Sequence, residues 1–472
     1  MKFIINNKGK AKYECIVHDY FAFWINVIGD EEQMKKYELE ASEVNIHNSL
    51  INDKLGNQEY LSSLIRLISS IDDNEIICVD GDWGVGKTFL VKQLVYLLKH
   101  YKEYEKQGQF KLVEQEKDIL INICNNNLIF YYNAWENDDH NDPLGSIIYN
   151  ILNDYPQYKE EITNKFDKEE FFKEFLNILT KVLSNKFLNT DLDAEKIDKI
   201  KTFNDLSNEI NTYEERKKLF EVLINKILGD RRMILIIDEL DRCNPKFATK
   251  ILEVVKHFYN LNNITVIIVS NNNELQSTIN QQYGQEFNAY SYLNKFYDYV
   301  MTIDNNRSID YSKIYLNFST QTYLPHDVFY AMIDKYKFTL RDCNRYRVLY
   351  DTAIEYIENT DKRNFFLNQK ESSCIYSIIL PIIFAFKIKD INAYNECING
   401  QTQKLEEALR YLNSYFVKND HGRWLLDFTN INKNDEEITD DDIIENISNI
   451  FIKLFNMKGM NKLFLSAIKV SL

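Results

Sequence analysis

With 472 residues the chain is long enough for two or three domains with sizeable cores, and 45% hydrophobic with 27% charged residues is ordinary for a soluble globular protein. A net charge of −15 argues against extended non-specific contact with nucleic acid, which needs a basic footprint, although a local basic groove is compatible with it. Glycine (13) and proline (5) are scarce beside 31 Tyr and 29 Phe, so the long Leu/Ile/Lys/Glu-rich stretches predict more helix than average.

Residues 1–50 open with a strand-like start, an aromatic segment from Tyr13 to Val27 and a polar stretch, and suggest no fold of their own. From Asp53 a helical pattern begins, with Leu55, Tyr60, Leu61, Leu64, Ile65, Leu67 and Ile68 recurring at helical spacing. An apolar run from Glu75 to Asp80 follows. It leads directly into Gly81-Asp82-Trp83-Gly84-Val85-Gly86-Lys87-Thr88. This is G-x-x-x-x-G-K-T between a strand and a helix, the pattern of a loop that cradles nucleotide phosphates.

The chemistry explains the spacing. Glycines let consecutive backbone N–H groups curl around phosphate oxygens, the Lys87 ammonium suits the β/γ-phosphates, and the Thr88 hydroxyl is placed to ligate Mg²⁺. The helix opening at Phe89 points its positive end at the anion. Residues 81–88 and Phe89 form the expected nucleotide-binding set.

Asn127–Asn133 reads as a second buried strand. Roughly residues 144–228 then form a helical insertion, clearest in Phe166–Phe187 and Glu214–Leu228. Two more apolar runs, Met233–Ile237 and Ile264–Ser270, flank a helix over Phe247–Tyr259. Short apolar runs alternating with helices predict an α/β fold, a parallel sheet sandwiched between helices in three layers.

The run Ile234–Ile237 ends in Asp238-Glu239-Leu240-Asp241-Arg242. Asp238 thereby falls at the carboxyl edge of a buried strand, where open α/β sheets bind ligands, and can hold Mg²⁺ opposite Thr88. Glu239 is placed to polarise the water that attacks a γ-phosphate. Asp241 serves either the turn or the nucleotide, because Asn244-Pro245 reads as a helix N-cap followed by proline at the first position. Arg242 either pairs with a carboxylate or faces the nucleotide of a neighbouring subunit. Ser270 or Asn271, at the tip of the next strand, is a candidate contact for the γ-phosphate or the attacking water, or else a loop start. Farther on, Arg341 and Arg345 would read the nucleotide from a helical lid or form structural ion pairs.

After about residue 300 the pattern is helical, with an acidic run from Asp435 to Glu445 that reads as a solvated loop and helix start. The division expected is therefore 1–50, 51–300 and 301–472. Seven scattered cysteines without a C-x-x-C pair, and seven histidines without metal-ligand spacing, indicate neither a disulfide framework nor a zinc site. The longest apolar stretch, Cys374–Phe386 with Pro381 inside, is too short to span a bilayer and reads as a kinked buried helix. The amino terminus lacks a signal-peptide core, so a cytoplasmic protein without a membrane segment is expected.

Taken in order, these motifs resemble the KAP-type P-loop triphosphatases, a branch of the signal-transduction ATPases. The matching pieces are Asp53-Lys-Leu-Gly56, Trp83 inside the phosphate loop, Tyr132-Asn-Ala-Trp135 with Asp142-Pro-Leu144, Asp238-Glu-Leu-Asp-Arg-Cys243, Tyr292-Leu-Asn-Lys-Phe296 and Leu340-Arg341, together spanning roughly residues 53–350. Trp83 and Trp135 read as packing anchors beside the nucleotide. Glu239 stands where many members carry Asp. Many members also insert transmembrane helices between the two nucleotide motifs, and no run between Thr88 and Asp238 is long enough.

The resemblance implies a soluble member that binds ATP rather than GTP with Mg²⁺. Lys87, Asp238, Glu239, Arg242 and Arg341 are its expected catalytic groups, and Thr88 and Asp238 its metal ligands. It further implies a nucleotide-driven switch in bacterial defence against phage or plasmids, acting as a homo-oligomer on an effector or partner protein. The alternatives are an ATP-binding scaffold with little turnover and a nucleic-acid-stimulated ATPase, for which the acidic balance offers no support.

Overall fold

The computed structural model describes residues 2–5, 11–14, 40–53, 55–71, 74–107, 116–138, 143–154, 228–258, 263–313, 326–359, 369–418, 425, 429 and 438–456. Most of the expected aromatic segment Tyr13–Val27, nearly all of the insertion 144–228 including Phe166–Phe187, and Asp142 lie outside the described residues. The chain divides into two compact units, residues 41–304, and residues 1–40 with 305–472. A short antiparallel hairpin, β1 (Lys2–Ile5) and β2 (Ala11–Glu14), comes first in the chain.

The apolar runs become the sheet of the 41–304 unit. Its strands are β3 (Ile76–Asp80), β4 (Asn127–Asn133), β5 (Arg232–Asp238), β6 (Ile264–Ser270) and β7 (Tyr299–Thr302). All pair in parallel, in the order β4-β5-β6-β3-β7. Every residue of β6 and nearly every residue of β5 is buried, as expected for strands covered on both faces. Leu235 and Ile237 join one core cluster with Phe130, Phe247 and Ile268, while the alternate Ile234 and Ile236 face the opposite side. Strand β7 lies at the sheet edge with Tyr299 and Val300 exposed, and the sequence reading, which ends the core at residue 300, does not identify it as a strand.

Helices α1 (Glu43–Asn52), α2 (Gln58–Ser70), α3 (Lys87–Gln107), α4 (Lys117–Asn126), α5 (Pro143–Asp154), α6 (Pro245–Phe258), α7 (Asn272–Tyr283) and α8 (Ala289–Leu293) accompany the sheet among the described residues of this unit. The helix expected from Asp53 starts instead at Gln58. Asp53 closes α1 in the left-handed conformation at φ 43°, and its Oδ1 accepts from the N–H groups of Asn57 (2.8 Å) and Gln58 (3.1 Å). The backbone of Asp53 thus ends one helix, its N–H donating to the Ser49 carbonyl, and its carboxylate serves the start of the next, while Leu61, Leu64, Ile65 and Ile68 form the buried stripe of α2. A buried polar chain ties the three helices together. Asn57 Nδ2 donates to Gln93 Oε1 (2.6 Å), and Gln93 Nε2 donates to Ser49 Oγ (3.2 Å).

The other unit is helical over its described part after residue 305. It comprises α9 (Ser308–Tyr311), α10 (His326–Lys335), α11 (Leu340–Asn359), α12 (Gln369–Cys374), α13 (Leu380–Lys389), α14 (Ile391–Ile398), α15 (Gln403–Lys418) and α16 (Asp440–Asn456). Phe329, Phe338, Tyr346, Phe384 and Phe386 are among its fully buried side chains.

Between α12 and α13 the backbone widens to one π-helical stretch, Ile375–Ile379, just before Pro381, which has no N–H to continue the α-helical ladder. The helical run Lys370–Lys389 is consequently longer than the apolar stretch read from sequence and is, by length and composition, capable of crossing a membrane. That corrects the expectation of a segment too short to span, although 72% of its apolar window is buried inside the protein. The described part of the acidic run opens α16, where the Thr439 N–H donates to Asp442 (2.7 Å) and the Asp442 N–H donates back to Thr439 Oγ1 (3.2 Å).

Candidate active site

Parallel pairing carries the carboxyl ends of the strands to one edge. Asn133 stands opposite Asp238 in register, and Asp80 opposite both Ser270 and Thr302. The loop after β3 wraps over this edge. Gly84 (φ 85°) and Gly86 (φ 96°) adopt the left-handed backbone that side chains disfavour. Gly81 is required for a different reason: a Cβ there would lie 2.7 Å from the Ile303 carbonyl oxygen and 3.1 Å from Val85 Cγ2. The side chains of Val85 and Phe89 point into the core, so these two expected ligand residues offer backbone rather than side chain to the edge.

The Lys87 ammonium is buried under its own loop and donates to the carbonyl oxygens of Gly81 (2.5 Å) and Asp82 (3.0 Å). Burial pulls its pKa below the ordinary lysine value, and the carboxylates of Asp241, Asp238 and Asp80 oppose that.

Asp238 is 1% exposed. Three donors converge on it: the Tyr131 hydroxyl (2.9 Å), the Thr88 hydroxyl and the Glu239 N–H (2.9 Å). Desolvation nevertheless lifts its carboxyl to about 6. Two hard oxygens, from Thr88 and Asp238, therefore meet within hydrogen-bond reach, a donor set that suits Mg²⁺.

Glu239 adopts φ 61°, ψ 29°, the left-handed region that a non-glycine residue enters at a cost. Its carboxylate pairs with Arg242 (3.1 Å), whose guanidinium also stands 5.6 Å from the Trp135 ring. Asn133 Oδ1 accepts from the N–H groups of Trp135 (3.1 Å) and Glu136 (3.3 Å), fixing the turn that presents this tryptophan.

Trp83 and Trp135, read from sequence as packing anchors beside the nucleotide, stand at the protein surface. They are 45% and 51% exposed, and Trp83 donates its indole N–H to Asp241 Oδ2 at 2.5 Å. Asn244 Oδ1 accepts from the Lys246 N–H (3.0 Å) at the start of α6.

Ser270 is buried and donates to Asn272 Oδ1 (3.2 Å). Asn271 caps α7, its Oδ1 accepting from the N–H groups of Asn273 and Glu274, so that oxygen serves the helix while the amide NH₂ takes no part in the cap. Arg341 and Arg345 are exposed on α11, in the other unit. Sequence reasoning missed Tyr131, whose hydroxyl reaches Asp238 across 107 residues of chain, and Asp80, whose Oδ1 accepts from the Asn272 N–H (2.9 Å).

A glycine loop after β3, a strand (β6) inserted between β3 and the acidic strand β5, and a buried carboxylate bonded to the loop threonine define a P-loop NTPase. The KAP family P-loop domain matches residues 57–324, more than half of the sequence, and the chain belongs to that family. No curated protein matches the chain significantly. Among solved structures it is similar to the Walker-type ATPase PABY2304 of Pyrococcus abyssi at 11% identity and a TM-score of 0.29, over 84% of this chain and 95% of that one.

Proposed function

We propose that this protein is an ATP-binding, Mg²⁺-dependent triphosphatase that works as a conformational switch. The observation that carries the reading is the buried Asp238 carboxylate accepting the Thr88 hydroxyl, directly beside the strained Glu239.

In this reading Lys87 leaves its loop carbonyls for the β/γ-phosphates, and Thr88 and Asp238 hold Mg²⁺, which when bound supplies neutralisation of phosphate charge. Glu239 accepts a proton from water. The water oxygen bonds to the γ-phosphorus as the bond from that phosphorus to the bridging oxygen breaks, giving ADP and inorganic phosphate. ATP over GTP, assembly into a homo-oligomer, and control of an effector in bacterial defence are the settings that the family resemblance suggests.

Binding and phosphate release test the core of this reading. Lys87→Ala should abolish ATP binding, and Glu239→Gln should retain binding while trapping ATP. A wild-type hydrolysis rate no higher than that of Glu239→Gln removes the enzyme. In that case an ATP-binding scaffold remains, a second reading that the Glu239–Arg242 ion pair favours because it occupies the base. An oligomeric state unchanged by a slowly hydrolysed ATP analogue removes the assembly switch.

A further inference from the structure

Two features of the site find no use in the hydrolysis scheme: the half-exposed Trp83 in the middle of the phosphate loop and the buried carboxylate of Asp241. They meet. The indole N–H donates to Asp241 Oδ2 at 2.5 Å, joining residues 158 positions apart.

The exposure of Trp83 shows that core burial does not hold this side chain in place. A hydrogen bond to a largely desolvated acceptor is the contact able to do so, because water competes poorly at a residue that is 7% exposed. Asp241 itself is firmly mounted. It lies in the 3₁₀ turn Leu240–Arg242, pinned by the fully buried Leu240 and closed by the Arg242 N–H donating to the Glu239 carbonyl (3.1 Å).

The loop, by contrast, contains three glycines in six residues, two of them in left-handed backbone, and such a segment loses more freedom on ordering than any other. Within the loop the Lys87 ammonium holds the carbonyls of Gly81 and Asp82, the contacts it would give up for phosphate, and the Val85 N–H reaches the Asp82 carbonyl only at 3.4 Å. A tether at Trp83, between Gly81 and Gly84, anchors the loop to the turn after β5 independently of Lys87. The same carboxylate is also the foremost charge favouring protonated Lys87.

We propose that Asp241 is a positioning residue for the phosphate loop, holding residues 81–86 in their phosphate-cradling shape through the Trp83 indole N–H. This rests on the reading that the loop binds nucleotide phosphate. Its consequence is preorganisation: a loop already ordered takes up phosphate without losing that freedom again.

The test uses the full-length chain with Trp83→Phe, which keeps a ring and loses the donor, Asp241→Ala, Asp241→Asn, which keeps an acceptor, and the double variant Trp83→Phe/Asp241→Ala. Amide hydrogen exchange over residues 81–88, without added nucleotide, should accelerate about tenfold in Trp83→Phe and in Asp241→Ala, by about the same factor in the double variant, and little in Asp241→Asn. With Mg²⁺ and ATP, Trp83→Phe should raise KM about tenfold and change kcat less than twofold. Unchanged exchange in Trp83→Phe, or multiplying effects in the double variant, overturns the proposal. A wild-type protein that fails to bind ATP overturns the triphosphatase reading instead, and the exchange measurement still decides whether Asp241 holds the loop.

Discussion

Asp238→Asn should make the protein more stable at alkaline pH and, on the triphosphatase reading proposed above, remove ATP hydrolysis. Burial lifts the carboxyl from 3.8 to about 6, against the opposing bonds from Tyr131, Thr88 and the Glu239 N–H. Below pH 3.8 the group is neutral in both folded and unfolded chains. Between 3.8 and 6 the unfolded chain gives up its proton while the folded one keeps it, so stability falls as pH rises through this window. Above about 6 the folded chain holds a buried anion, at a cost of about 3 kcal/mol.

Asparagine carries no such charge. Its Oδ1 can accept the Glu239 N–H, and its NH₂ can face the Tyr131 hydroxyl, which turns to accept; imperfect re-pairing gives back about 1 kcal/mol. The net expectation is a gain of about 2 kcal/mol at pH 8 and a loss of about 1 kcal/mol at pH 3.5, where no charge is buried and only the imperfect re-pairing remains. Urea unfolding of both proteins, with chelator present so that no cation compensates the carboxylate, measures the difference at each pH. A variant less stable than wild type at pH 8, or a difference that does not grow with pH, would refute the reasoning.

Three further outcomes follow from the geometry. Gly81→Ala places a Cβ 2.7 Å from a backbone oxygen that cannot swing away, and should cost about 1–3 kcal/mol in thermal unfolding together with a weaker grip on nucleotide, read by calorimetry. Glu116 accepts from Arg66 Nε (2.8 Å) and Ser62 Oγ (2.6 Å), and these bonds hold its carboxyl below the ordinary 4.5. Its contribution is present above pH 4.5 and lost as pH falls below it, so Glu116→Gln should cost about 1 kcal/mol at neutral pH and flatten the acid limb of the stability profile. Burial pulls the Lys387 ammonium down to about 8, so stability rises as pH climbs from about 8 towards 10.5. Lys387→Met should accordingly stabilise by about 1–2 kcal/mol at pH 7 and lose that advantage above pH 10.5, checked by melting curves across the range.

Sequence alone determined the phosphate loop, four of the five parallel strands, the acidic strand end and the family, because each is written in contiguous residues whose spacing fixes a local backbone. The run of buried apolar residues in β6 announces a covered strand, and G-x-x-x-x-G-K-T states which positions must be glycine, lysine and threonine. Strand β7 escaped because its four residues continue the aromatic stretch Phe296-Tyr-Asp-Tyr299 and are too few to stand apart from it, and Asp53 was read as a helix start because its carboxylate does serve the start of α2, while the left-handed backbone that closes α1 at the same residue leaves no mark in the spacing.

Only the tertiary structure decided which side chains share a charge. Tyr131 on Asp238, Trp83 on Asp241 and Arg242 on Glu239 depend on where strands and turns come to rest, and for the first two the partners lie 107 and 158 residues apart. A hydrogen bond acts over about 3 Å of space whatever the length of chain between its ends, so no local pattern announces it. The phosphate loop could therefore be read residue by residue, whereas what holds it in place could not.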